Sequence, residues 1–263
     1  MDQPLTRIRS VVEFDAHTFI AGTTEVVTEY ALTVFVDGQE FATLVCTPAD
    51  FSELVVGFIA SEGLLEKIED MRSLEVDEEG GVAFVRMQRK VEINPDHFAK
   101  RYITSCCGKG RQSYYFYNDA QTAPVTTIGP LLTPFEVTEL VSKMQSQSDL
   151  FLETGGVHNA ALCDSSQIVA SRADIGRHNA LDKLFGYMLQ QHVSAQDKVM
   201  VFSGRISSEV LLKVAKMKVG VLLSKSAPTD MALQMAEELG ITAIGFARGD
   251  RFKVYTHPER IVM

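Results

Sequence analysis

Residues 199–223 read VMVFSGRISSEVLLKVAKMKVGVLL, and this stretch decides the fold class. Val199, Met200, Val201 and Phe202 form an apolar run too short for a helix and suited to a buried strand. Ser203-Gly204-Arg205-Ile206-Ser207-Ser208 interrupts it. Residues 209–217 then carry apolar side chains at helical spacing, Gly220 closes the helix, and Val221-Leu222-Leu223 is a second short strand. A strand, a helix and a strand in so few residues predict an α/β sheet with helices on both faces.

The pattern extends in both directions. Downstream, residues 230–239 predict a helix closed by Gly240, residues 241–246 a strand and residues 252–255 a last strand. Upstream, Thr133-Pro134-Phe135-Glu136 is a capping box opening a helix with Val137, Leu140, Val141 and Met144 on one face. Asp174 reads as the cap of a helix bearing Leu181, Leu184, Phe185 and Met188. Pro124, Gly129 and Pro130 break the periodicity before this region. Two units are therefore expected, residues 1–125 and residues 126–263. The first is strand-rich. Residues 30–36 and 41–46 flank Asp37-Gly38 as a hairpin, Thr47-Pro48 opens a helix that runs to Gly63, and Val82–Met87 is a strand.

Composition narrows the function classes. The 263 residues are 46% hydrophobic and 22% charged, which excludes a disordered chain. No apolar run reaches the roughly 18 residues of a membrane span, and the N-terminus lacks a signal-peptide core. A soluble, cytoplasmic protein is expected. The net charge of -9 argues against nucleic acid as a partner. That charge is uneven: residues 1–100 hold 8 basic against 19 acidic side chains, the remainder 17 against 15. An anionic ligand would therefore sit on the second part.

Several clusters could carry chemistry. In Thr104-Ser105-Cys106-Cys107-Gly108-Lys109-Gly110-Arg111, glycines free the backbone and two cations favour a thiolate, the reactive form of cysteine. A glycine-rich loop with incidental cysteines is the plainer reading. Adjacent cysteines suit one tetrahedral zinc poorly. Cys46 and Cys163 read as buried small hydrophobes. In residues 153–161, Gly155-Gly156 precedes what reads as a small-residue helix start, with His158 either packed structurally or catalytic. Arg177, His178 and Asn179 fall in a first helical turn, where a cation opposes the helix dipole unless an anion faces it. Three further groups follow strand ends, where open α/β sheets bind ligands: residues 203–208 with Arg205, residues 224–229 with Ser226, and Phe246-Ala247-Arg248-Gly249-Asp250-Arg251. Together they favour a phosphorylated or nucleotide-like ligand.

The stretches TPADFSELVVGFIASEGLL, TSCCGKG, ETGGVHNAAL, ADIGRHNALDKLFG, FSGRISSEVLLK, SKSAPTDMALQMAEELGIT and GFARGDRFKVYTHPERI together resemble the FdhD family of formate dehydrogenase accessory sulfurtransferases, over roughly residues 25–263. The resemblance implies a sulfur carrier that takes persulfide sulfur from a cysteine desulfurase. It implies delivery to the molybdenum or tungsten bis-pterin guanine dinucleotide cofactor of formate dehydrogenase, as cargo. It also implies a homodimer and a three-layer, cytidine-deaminase-like C-terminal domain. The family loop reads Thr-Ser-Ser-Cys-Gly-x-Cys-Gly. Thr104, Ser105 and Gly108 match, placing Cys107 on the persulfide-carrying cysteine; Cys106 replaces a serine, and Gly110 stands where the second cysteine would be. Both cysteines are taken as catalytic. Phe246, Ala247, Arg248, Gly249, Asp250 and Arg251 match the cofactor-binding stretch, to which Arg205, Ser226 and His178 are added. A non-catalytic cofactor chaperone is the alternative. A zinc deaminase is not: alanine follows His158-Asn159 where its glutamate would stand, and no Pro-Cys-x-x-Cys exists, so no zinc is expected. A thiol–disulfide oxidoreductase would need the missing Cys-x-x-Cys.

Overall fold

The structure is a computed structural model that describes residues 3–89, 102–103, 125–126 and 129–263. Two ten-residue strands, β1 (Thr6–Asp15) and β2 (Thr18–Val27), form a hairpin that is a sheet of its own. A five-stranded sheet follows in the order β5-β6-β3-β4-β7, from β3 (Tyr30–Val36), β4 (Gln39–Cys46), β5 (Met71–Asp77), β6 (Val82–Met87) and β7 (Tyr102–Ile103). Asp37 and Gly38 both take positive φ at the β3–β4 turn, as an Asp-Gly hairpin requires.

The six-stranded sheet has the order β13-β12-β11-β10-β8-β9. Its strands are β8 (His158–Cys163), β9 (Ile168–Asp174), β10 (Val199–Phe202), β11 (Val221–Ser224), β12 (Thr242–Arg248) and β13 (Arg251–Val254). β10, β11 and β12 run parallel; β8, β9 and β13 are antiparallel to their neighbours. Helix α2 (Pro134–Ser146) covers one face, its Val137, Leu140, Val141 and Met144 packed with Ala161, Val201 and Leu223. The short α3 (Asp149–Thr154) follows it. Helices α4 (Arg177–Gln190), α5 (Ser208–Lys216) and α6 (Asp230–Glu238) cover the other face. The chain is thus a mixed α/β fold, and its second part has helices on both faces of one sheet.

Helix α1 (Phe51–Ser61) lies between the five-stranded sheet and α4, and one apolar core runs through both layers, from Leu32 and Leu44 across Leu54 and Leu184 to Met200. α1 and α4 approach backbone to backbone. A β-carbon added at Gly57 would collide with the Asp182 carbonyl, and one at Gly186 with the Glu53 carbonyl. No helix among the described residues is long and apolar enough to cross a membrane.

Four local expectations change. Residues 158–163 begin a strand rather than a helix, because β9 and β10 pair on both sides of them. Asp174 is the last residue of β9 and does not cap α4; Gly176 holds that position without a side-chain cap. α1 starts at Phe51, after Asp50 in the left-handed region, not at Thr47-Pro48. The residue that turns the chain after α5 is Lys218, φ 61°, rather than Gly220, whereas Gly240, φ 69°, does follow α6.

Candidate functional site

The parallel strands β10, β11 and β12 end on one rim of the six-stranded sheet. The antiparallel β8 begins there and β9 ends there, with His158 opposite Asp174. From β12 to β8 is three strand spacings, about 15 Å.

The connections along this rim are hydrogen-bonded to one another. Lys225 N–H donates to the Phe202 carbonyl (3.2 Å), Ile206 N–H to Ala227 (3.1 Å) and Phe246 N–H to Ser226 (3.1 Å). Ser224 Oγ donates to the Gly204 carbonyl at 2.6 Å, and Arg248 Nε to the Lys225 carbonyl at 2.9 Å. The three segments that follow strand ends in the sequence are therefore neighbours in space.

At the β12 end of the rim a bulge separates Gly245 from Arg248. It sends Ala247 into the core, 1% exposed, and turns Phe246 outward. Phe246 sits at φ 53°, a region that costs a bulky residue on the order of 1 kcal/mol or more. Its ring has Lys253 Nζ 5.0 Å from its centroid. Burial and the charge of Arg248 push the Lys225 ammonium below its usual pKa, so an anion arriving beside it would be stabilised. Arg205, Arg248, Gly249, Asp250 and Arg251 are exposed, and Ser226 is half-buried.

At the other end lies an imidazole pair. His158 Nδ1 is 3.5 Å from Ser203 Oγ, which accepts the Asn159 N–H at 2.9 Å. Burial, then the charge of Arg177, lowers the His158 pKa. His178, in the first turn of α4, is pushed down to about 3 by burial, with Lys213, Arg177 and His158 adding to the effect. Its Nε2 is 3.3 Å from a Glu209 carboxylate oxygen but makes no hydrogen bond among the described residues. Glu209 is 40% exposed and screened by water, so burial prevails and the contact is not an ion pair. His178 is neutral at physiological pH.

A pH dependence follows. The usual histidine pKa of 6.5 applies to the unfolded chain, so between about 6.5 and about 3 unfolding takes up a proton at His178. Stability is full above that window and falls as pH is lowered through it, by about 2 kcal/mol from pH 7 to pH 5. His178→Gln is expected to flatten this slope in guanidinium unfolding curves taken at the two pH values.

The rim is joined to the five-stranded sheet through Asp174. Its carboxylate accepts the Thr47 N–H (3.0 Å), the Gly176 N–H (2.8 Å) and Asn179 Nδ2 (2.9 Å). Lys183 Nζ is 2.9 Å away, and both side chains are fully buried. Asn179 Nδ2 also donates to the Val45 carbonyl at 2.9 Å. Sequence reasoning missed this buried pair, whose only signal was a lysine on an apolar helix.

Cys106 and Cys107, with residues 104–111, lie outside the described residues. Their approach is described: β7 runs parallel to β4, with Tyr102 opposite Thr43 and Ile103 opposite Leu44. Leu44 is three residues before Thr47, so β7 runs toward the end of the five-stranded sheet at which Thr47 meets Asp174. Cys46 and Cys163 are free and buried, and burial pushes both thiols up to about 12. Neither can be a thiolate near neutral pH.

The fold and the rim define an α/β protein of three sheets, with exposed arginines along one rim of its six-stranded sheet. The chain belongs to the FdhD/NarQ family, which it matches over residues 27–262. It is 50% identical over 263 residues to the sulfur carrier protein FdhD of Halalkalibacterium halodurans, covering 100% of this chain and 97% of that protein. Identity to the Bacillus licheniformis sulfur carrier protein FdhD is 49% over 261 residues, covering 99% of each. The crystal structure of a formate dehydrogenase accessory protein from Desulfotalea psychrophila shares the fold, with TM-score 0.80 and 22% identity over 98% of this chain and 100% of that one.

Proposed function

We propose that this chain is a sulfur carrier serving formate dehydrogenase in the cytoplasm, acting as a homodimer and sulfurtransferase through Cys107. The thiolate of Cys107 attacks the terminal sulfur of a cysteine desulfurase persulfide. An S–S bond forms on Cys107, and the desulfurase thiolate leaves. Delivery as sulfide consumes two electrons. Cys106 can supply them by displacing hydrosulfide and forming a disulfide with Cys107; a disulfide between neighbours is strained and so easily reduced again. The acceptor is the molybdenum or tungsten bis-pterin guanine dinucleotide, held as cargo along the rim by Phe246, Arg248 and Lys225, with Arg205, Ser226 and His178 alongside.

The observation that carries this reading is where the cysteine segment is anchored. Ile103, four residues before Cys107, ends β7 opposite Leu44, on the side of the sheet that leads to Thr47 and the rim, and four residues of chain reach at most about 14 Å. The other two cysteines are buried and unreactive. Names carried by relatives at 45–50% identity support the same role.

Mass spectrometry after incubation with desulfurase and cysteine tests it. Wild type is expected to gain sulfur on Cys107. Cys107→Ala is expected to gain none there and to leave a strain lacking this protein without formate dehydrogenase activity. Activation that survives loss of both cysteines would establish a non-catalytic chaperone instead. Phe246→Gly separates binding from stability. Relief of the strained φ and loss of the partly buried ring act in opposite directions, so the stability change should stay within about 2 kcal/mol. Affinity for guanosine diphosphate, measured by calorimetry, should fall at least about tenfold through the lost stacking surface.

A further inference from the structure

The β1–β2 hairpin takes no part in the rim. A sheet of two strands is marginal on its own in water. The Thr28 N–H donates to the Leu5 carbonyl, and the register continues with Thr6 opposite Val27. Odd-numbered residues of β1 therefore bond to β2, and the N–H and C=O groups of Ile8, Ser10, Val12 and Phe14 point away from it. Among the described residues no other strand pairs with this edge, and an open edge of this length is a template for another strand. The side chains beside that edge are apolar and open: Ile8 is 71% exposed, Val12 64% and Phe14 60%, with the Phe14 ring against that of Phe19.

We propose that β1 pairs antiparallel with β1 of a second copy of this chain about a two-fold axis at Val11, joining two hairpins into one four-stranded sheet. The order of charges along β1 sets both the partner and the register. Arg7 and Arg9 precede Val11, Glu13 and Asp15 follow it, and all five share one face of the strand. With Val11 at the centre, Arg7 stands opposite the partner's Asp15 and Arg9 opposite the partner's Glu13. On the other face Ile8 meets the partner's Phe14 and Ser10 the partner's Val12. The charged pairs fall at the positions without ladder hydrogen bonds, where facing side chains come closest. The same register brings the outward N–H and C=O groups of Ile8, Ser10, Val12 and Phe14 against each other. The outer edge of β2 has no such order: Glu25 is its one charge, and no cation on that strand could meet it in a second copy.

This names the surface for the homodimer of the preceding reading but stands on the hairpin alone. Light scattering on the full chain after size exclusion tests it. Wild type is expected to be a dimer. Arg9→Glu and Glu13→Arg each set like charges face to face and should raise the dissociation constant at least about tenfold. Mixing the two variants restores opposite charges at every position and should restore the dimer. A monomeric wild type, single variants as dimeric as wild type, or a mixture that stays monomeric would each overturn the proposal. The mixture guards against a merely misfolded hairpin. Sulfur loading of Cys107 in the same proteins tests the carrier role separately.

Discussion

Gly186→Val is expected to leave the chain unable to fold stably. α1 and α4 cross with backbone against backbone, and position 186 faces the carbonyl of Glu53 where no β-carbon fits. Gly57 presents the reciprocal case against the Asp182 carbonyl. Only glycine allows both approaches at once, and the core on either side is shared by the two sheets. A larger side chain must part the helices, opening cavities around Leu54, Val55, Leu181 and Leu184, all fully buried. The expected loss exceeds about 4 kcal/mol, beyond ordinary core substitutions. Parting the helices would also strain Ser61 Oγ, which donates to Asp182, a carboxylate that Lys213 also contacts. Guanidinium unfolding and soluble yield are the measurements. Gly22→Ala, where a β-carbon meets nothing within 4 Å, is the control and should shift stability by no more than about 1 kcal/mol.

Lys183→Met is expected to cost about 3–5 kcal/mol, because it leaves the Asp174 carboxylate buried without its cation. The three remaining donors, from Thr47, Gly176 and Asn179, hold the carboxylate in place but do not neutralise it. Removing the charge as well should recover part of the loss. Asp174→Asn with Lys183→Met is expected to be more stable than Lys183→Met alone, the opposite of two independent lesions. A double-mutant cycle by chemical unfolding decides this.

Parts of this structure are written in local sequence. The short apolar runs of β10 and β11, the capping box at Thr133 and Glu136 and the glycine after α6 each signal their element through neighbours a few residues away. The capping box forms as read, with Thr133 and Glu136 bonded reciprocally. Other parts depend on distant partners. Asp174 looks like a helix cap because its nearest polar neighbours are in the next turn; its role is set by Thr47, 127 residues earlier. His158 to Cys163 read as a helix start because small residues suit either element, and flanking strands decided it. The β1–β2 turn is Ala16-His17, which gives no turn signal although Ala16 takes φ 45°.

The sequence by itself determined the fold class of the second part, the core positions of Cys46 and Cys163, and the residues from which a ligand site could be built. Periodicity and residue chemistry are local properties, and no folding is needed to see them. Tertiary structure alone decided that Ser203, Lys225, Phe246 and His158 share one rim. It decided that Phe246 is turned out by a bulge while Ala247 is buried, and that glycines 57 and 186 lock the two sheets together. Each of these depends on backbone groups far apart in the chain meeting within a few ångströms, and a linear pattern does not record that.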